Sequence, residues 1–132
     1  MLCYVTQDRA DRSFARRPDG RDAEILLAIA RWYVGSGMPE ALSRLWDQDG
    51  CDAVDNPIAA RICVYYDAVG ALHKHGLIDE PLLFDWLVVA PVWDRVKGYV
   101  HTQRTRRGTP FLWSSFEELA RAHKRVIGEY AT

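Results

Sequence analysis

The chain has 132 residues, enough for one domain and too few for two of ordinary size. A hydrophobic fraction of 48% and a charged fraction of 27% fit a folded globular protein, which excludes a collagen-like repeat, a disulfide scaffold or wholesale disorder. Its 17 basic and 18 acidic residues leave a net charge of −1, so no global field draws the chain to nucleic acid, and no uncharged stretch approaches the ~18 apolar residues that span a bilayer.

Residues 1–19 mix Arg and Asp without apolar periodicity and read as a flexible N-terminal arm, ahead of a single helical domain over residues 20–132. Met1 to Val5 is apolar but too short for an export signal. Cys3, Cys51 and Cys63 are odd in number and lack metal-ligand spacing, so free thiols of a reducing, cytoplasmic compartment are expected.

Prolines and glycines punctuate the rest. Asn56-Pro57 and Thr109-Pro110 each read as a helix N-cap followed by its first residue, while Gly35, Gly50, Gly76 and Gly108 fall where helices should stop. Between these marks the first helix is expected over roughly 21–34, with Ile25, Ile29 and Trp32 on one stripe. A short second helix follows over 39–48, presenting Leu42, Leu45 and Trp46. The third, over 57–75, places Ile58, Ile62, Tyr65, Val69 and Leu72 at alternating steps of four and three, the spacing of one buried face.

The fourth helix, over 80–89, is apolar nearly all round and is expected to be the central buried one. The fifth, over 91–106, turns Trp93, Val96 and Val100 inward. The sixth, over 110–130, carries Leu112, Phe116, Leu119, His123 and Val126 on one face, where His123 reads as a hydrogen-bonded core histidine. Short joints favour antiparallel neighbours, so the fold class is all-α, a compact antiparallel bundle of five to six helices.

Over residues 57–120 the chain resembles a family of small helical prokaryotic domains known as domain of unknown function 4760. The residues that carry the likeness are Tyr66-Asp67 with Gly70, then Gly76-Leu77-Ile78-Asp79 at a turn. Trp93 on the next helix follows, with Arg104 or Arg107 before a loop and Phe116-Glu117-Glu118-Leu119 on the last helix. The resemblance implies a helical fold and supplies no catalytic residue. Members of the family often carry an N-terminal membrane segment, and no such span is expected in this chain.

Four groups of residues are candidates for function. Asp67, Trp93, Arg104 and Glu117 fall on three helices; if the two carboxylates face inward, Arg104 can hold both, as a polar clasp or as the lining of a pocket for a small or anionic ligand. Lys97, His101, Arg104, Arg106 and Arg107 form a basic run that reads either as cations favoured at a helix C-terminus or as an anion or partner patch. His73 and His75 diverge on a helix and make a poor chelate. Trp46, Trp86, Phe111 and Trp113 lie outside the main stripes, as core packing or as a dimer or partner patch.

A DNA reader is the weakest alternative, because the segment after Gly76 offers acidic and apolar side chains where a reading helix needs Arg, Lys, Asn or Gln. Phosphate-loop, nucleophile-elbow and paired-cysteine motifs are absent. The sequence therefore leads to a non-enzymatic, cytoplasmic interaction or regulatory module. It is expected to need no cofactor or metal and to have a protein or a second copy of itself as partner.

Overall fold

Each helix begins where a side chain or a proline relieves N–H groups that have no partner within the helix. The computed structural model describes residues 17–47 and 55–131, with six helices and no strand among them. The expected arm over residues 1–19 lies outside the described residues except for 17–19, as do Cys3, Cys51 and Gly50.

Helix α1 spans Gly20–Gly35. Asp19 caps it by accepting from the backbone N–H of Arg21 and Asp22, and Asp22 returns the favour to the Asp19 N–H at 2.9 Å, a reciprocal capping box. Helix α2, Met38–Asp47, buries Met38, Ala41 and Leu45 on one side. Helix α3, Pro57–Lys74, starts at the expected Asn56-Pro57, where the Asn56 side chain accepts from Ala59 N–H at 3.0 Å.

Helix α4 is short, Glu80–Trp86, with Asp79 as its cap. Helix α5 spans Ala90–Arg107 and stops at Gly108, whose φ of 62° lies in the left-handed region that a side chain would disfavour. Helix α6 spans Ser114–Ala131.

Helix α3 is the centre of the molecule. It packs along α6 and also against α2 and α5, while α1 covers α2 and α4. Its buried residues Ala59, Ile62, Cys63, Tyr65, Tyr66, Val69 and Gly70 occupy more than one face, which is why its neighbours surround it. Helix α5 runs opposite to α6, since Arg104 meets Glu117 and Asp94 meets Lys124. The rings of Tyr66, Phe116 and Trp93 form the middle of the core. Tyr66 stacks on Phe116 at 5.0 Å, and Trp93 meets Phe116 edge-on at 5.1 Å.

Two expectations are corrected. The apolar run at 80–89 is not a central helix. Helix α4 ends at Trp86, and Leu87 adopts an extended conformation, so Leu87 and Val89 go into the core while Val88 between them points outward. Only Leu83 of α4 itself is buried. The sixth helix begins four residues later than Pro110, because Trp113 sits at φ 57°, a left-handed conformation through which no α-helix continues.

Gly70 decides how closely α3 and α6 approach. A Cβ built there falls 2.3 Å from the Ser115 carbonyl oxygen and 2.6 Å from its carbon, both rigid backbone atoms. Substitution Gly70→Ala is therefore expected to force the two helices apart and to destabilise by about 2 kcal/mol or more, despite the better helix propensity of Ala. Gly128→Ala, also on α6's chain but with nothing within 4 Å, should be neutral or stabilising by up to about 1 kcal/mol. Denaturant unfolding of the two variants checks the contrast.

Candidate functional site

Asp67 lies one turn before Gly70 on α3, at the point where the first turn of α6 arrives. Its Oδ1 accepts from Phe116 N–H at 3.0 Å. Ser114 opens α6, so this N–H is one of those that the helix itself leaves unpaired. Asp67 thus caps α6 from another helix, and a carboxylate is the group that the positive end of α6 favours.

Arg104 on α5 serves the same junction from the other side. Its Nε donates to the Leu112 carbonyl at 2.9 Å, and its Nη2 lies 2.9 Å from Glu117 Oε1. The Nη2 group makes no aligned hydrogen bond, so its contact with Glu117 is ionic. Glu117 also takes Arg121 at 2.9 Å through its other oxygen. Arg104 therefore holds one carboxylate and one carbonyl rather than two carboxylates, and Asp67 is occupied by backbone instead. Trp93 is buried in the core against Phe116, three turns along α5 from Arg104.

The basic run is divided among separate tasks. Lys97 lies 3.5 Å from Asp94, and Lys124 reaches the same oxygen at 2.8 Å. The Lys124 hydrogen bond, followed by weaker attraction from both lysines, holds the Asp94 carboxyl below its ordinary pKa. Arg95 donates to the Trp46 carbonyl and lies over the Trp46 ring at 5.6 Å. His101 meets Trp93 edge-on. Arg107 lies over Trp113 at 5.9 Å, and neither Arg106 nor Arg107 has a carboxylate partner among the described residues.

Clefts open on the surface between the helices, and two are lined by described residues of interest. One, of about 580 Å³, is walled by Tyr33, Leu42, Trp46, Tyr66, Trp86, Leu87, Val88 and Val92, with Pro39 and Ser43 at its rim. Trp46, Trp86 and Val88 are exposed in it, and Tyr33 meets Trp86 edge-on at 5.2 Å. The other, of about 490 Å³, lies between the start of α3 and the end of α5. It is lined by Asp55, Asn56, Pro57 and Ala60 on one side and Tyr99, Gln103, Arg106 and Arg107 on the other. Neither is lined by Asp67, Trp93, Arg104 or Glu117. Among the described residues no three His, Cys, Asp or Glu side chains converge to hold a metal ion, and no helix is long and apolar enough to cross a membrane.

Sequence reasoning missed Asp22, which is 0% exposed. Besides closing the α1 capping box, its Oδ1 accepts from the Asp79 N–H at 2.9 Å, tying the start of α1 to the start of α4. The spacing Asp19-x-x-Asp22 is a capping-box signal and could have marked the first of these bonds. It carries no sign of the second.

His123 is buried on α6, stacked on Phe84 at 4.8 Å. Its Nδ1 accepts from Val89 N–H at 3.2 Å and from Ala90 N–H at 2.9 Å, replacing the side-chain cap that Val89 cannot give to α5. That ring nitrogen carries no proton, and burial pushes the pKa below the ordinary histidine value. The unfolded chain takes up a proton near pH 6.5 and the folded chain only at lower pH, so this contribution is complete above about pH 6.5 and is lost as pH falls below it.

Two measurements follow from these caps. Thermal melts between pH 7 and pH 5 should show wild type losing stability faster than His123→Asn, whose side-chain oxygen can replace Nδ1 as acceptor but cannot be protonated in this range; parallel curves would contradict this role. Asp67→Ala should cost about 1–2 kcal/mol and Asp67→Asn, which keeps an acceptor, less than about 0.5 kcal/mol, read by chemical denaturation.

No curated protein and no solved structure matches the chain. A family model does, over residues 47–123, a span that takes in α3, α4, α5 and the first half of α6 together with the whole Asp67–Gly70 junction. On that match this chain belongs to the family described as domain of unknown function (DUF4760).

Proposed function

We propose that this chain is a cytoplasmic, non-enzymatic protein-interaction module, and that the aromatic cleft between α1, α2, α4 and the start of α5 is its docking surface. The observation that carries this reading is the exposure of Trp46, Trp86 and Val88 along one apolar cleft. Exposed tryptophans in a preformed groove are the residues most often found as binding hot spots. The walls are dominated by rings and aliphatic groups, so the matching occupant is a partner segment that inserts apolar anchors, rather than a charged small molecule.

Two observations weigh against the other readings of the same sequence. Asp67, Arg104 and Glu117 are committed to the start of α6 and Trp93 to the core, which leaves them little to offer a ligand. Lys97 is paired with Asp94, Arg104 with Glu117, and Arg95 with Trp46, so the bases do not present one continuous face to a nucleic acid backbone.

Val88→Asp is the sharpest probe, because Val88 is 56% exposed and only its carbonyl, which accepts from the Tyr66 hydroxyl, serves the fold. Affinity capture from the native host with wild type and with Val88→Asp should recover a protein that the variant loses by roughly tenfold or more, with unchanged circular dichroism. Equal recovery by both would remove the cleft as the docking surface.

A further inference from the structure

The polar cleft at the opposite end of α3 shares no residue with the aromatic one. Its α5 wall is built from Tyr99, Gln103, Arg106 and Arg107, positions that return to one side of the helix after one and two turns. The two arginines stand apart from the other bases of residues 91–109. Arg95, Lys97 and Arg104 all have acceptors or carboxylates within reach, whereas Arg106 and Arg107 have none among the described residues.

A helix C-terminus attracts cations, so the macrodipole alone can account for two arginines in the last turn of α5. It cannot account for Tyr99. Tyr99 is 3% exposed, its ring is stacked on Trp113 at 5.8 Å, and it lines the cleft with its hydroxyl making no hydrogen bond among the described residues. Burial above all, and then the nearby Cys63 thiol, raise its pKa above the ordinary tyrosine value, while Arg107 draws it down and Asp55 pushes it up. At the pH of the cell it is a neutral donor. The core holds the ring in place while the hydroxyl is left free to donate to an occupant of the cleft.

Arg107 lies over the Trp113 ring at 5.9 Å, and its guanidinium makes no hydrogen bond or ion pair among the described residues, so its N–H groups are available to a ligand. The cleft therefore offers two guanidinium edges and one phenolic O–H, all donors. A planar carboxylate is satisfied by one arginine fork, whereas a phosphate group has enough terminal oxygens for all three side chains. Asp55 on the far rim makes no ion pair with either arginine, and it can accept from a hydroxyl on the remainder of a ligand.

We propose that this cleft is a binding site for a small phosphate monoester, with Arg106, Arg107 and the Tyr99 hydroxyl as its donors. The site goes beyond the docking reading and stands or falls separately from it, since a variant of either cleft leaves the residues of the other in place.

The test is a titration of the full chain with phenyl phosphate, inorganic phosphate and acetate at constant ionic strength, followed by calorimetry and by the thermal midpoint. Saturable binding of both phosphates, with acetate at least roughly tenfold weaker, is expected. The double variant Arg106→Gln/Arg107→Gln should weaken phosphate binding by roughly tenfold or more, and Tyr99→Phe by several-fold. Tyr99→Phe should also leave the ligand-free midpoint unchanged, because its hydroxyl makes no hydrogen bond among the described residues, and that separates a binding role from a structural one. No saturable binding below about 10 mM, equal binding of acetate, or binding indifferent to all three substitutions would overturn the proposal.

Discussion

The backbone contact between Gly70 on α3 and Ser115 at the start of α6 is the constraint on which the other long-range contacts depend. At 2.3 Å from the position a Cβ would occupy, the Ser115 carbonyl tolerates hydrogen and nothing larger. That proximity brings the first turn of α6 within reach of Asp67, one turn earlier on α3, and brings the rings of Tyr66 and Phe116 to stacking distance. A side chain at residue 70 would separate all three contacts together. Arg104 then holds the turn that leads into α6, through the Leu112 carbonyl, so the junction is clamped from two helices. Trp113 can keep its left-handed conformation there because Tyr99 and Arg107 enclose its ring; a non-glycine residue at such a φ costs on the order of 1–3 kcal/mol unless its surroundings impose it.

The same device recurs at other helix starts. Asp67 of α3 caps α6, His123 of α6 caps α5, and Asp22 of α1 accepts from the first residue before α4. In each case a buried or half-buried N–H near a helix start is satisfied by a side chain of a different element. The alternative, a buried donor left unpaired, costs about 1–3 kcal/mol, so each bond opposes separation of the two elements it joins. Local caps stabilise single helices. These caps stabilise the arrangement of helices, and they make the loss of one helix felt at the start of another.

This division explains what could be read from the sequence. The joint Asn56-Pro57 and the stop at Gly108 were legible because their chemistry is local: a side-chain acceptor three residues from its donor, a proline that lacks a donor, a glycine free to adopt positive φ. Thr109-Pro110 has the same letters and fails as a helix start, because the tertiary contacts of Trp113 override them. The apolar run from Leu82 to Val89 was misleading for a related reason. Helical and extended backbones both bury an apolar stretch, and only the alternation of Leu87, Val88 and Val89 between inside and outside distinguishes them. Within the candidate site, the pairing of Arg104 with Glu117 follows from opposite charges on adjacent helices, whereas the partner of Asp67 is a backbone N–H, which has no letter in the sequence.

The residues that carry the family likeness are thereby given physical roles. Tyr66, Asp67, Gly70, Trp93, Arg104, Phe116 and Glu117 all meet at or beside the start of α6, and Asp79 caps α4 while its own N–H donates to Asp22. They specify a scaffold whose polar groups are engaged in holding the helices together. Among the described residues, two clefts of different character lie along the α3–α5 pair. Tyr66 and Val92 wall the apolar one, and Ala60 and Tyr99 wall the polar one. Because one rigid pair of antiparallel helices supplies a wall to each, the spacing that the core imposes on α3 and α5 sets the width of both. The aromatic packing around Phe116 thus does more than hold the fold together: it helps to set the dimensions of both clefts.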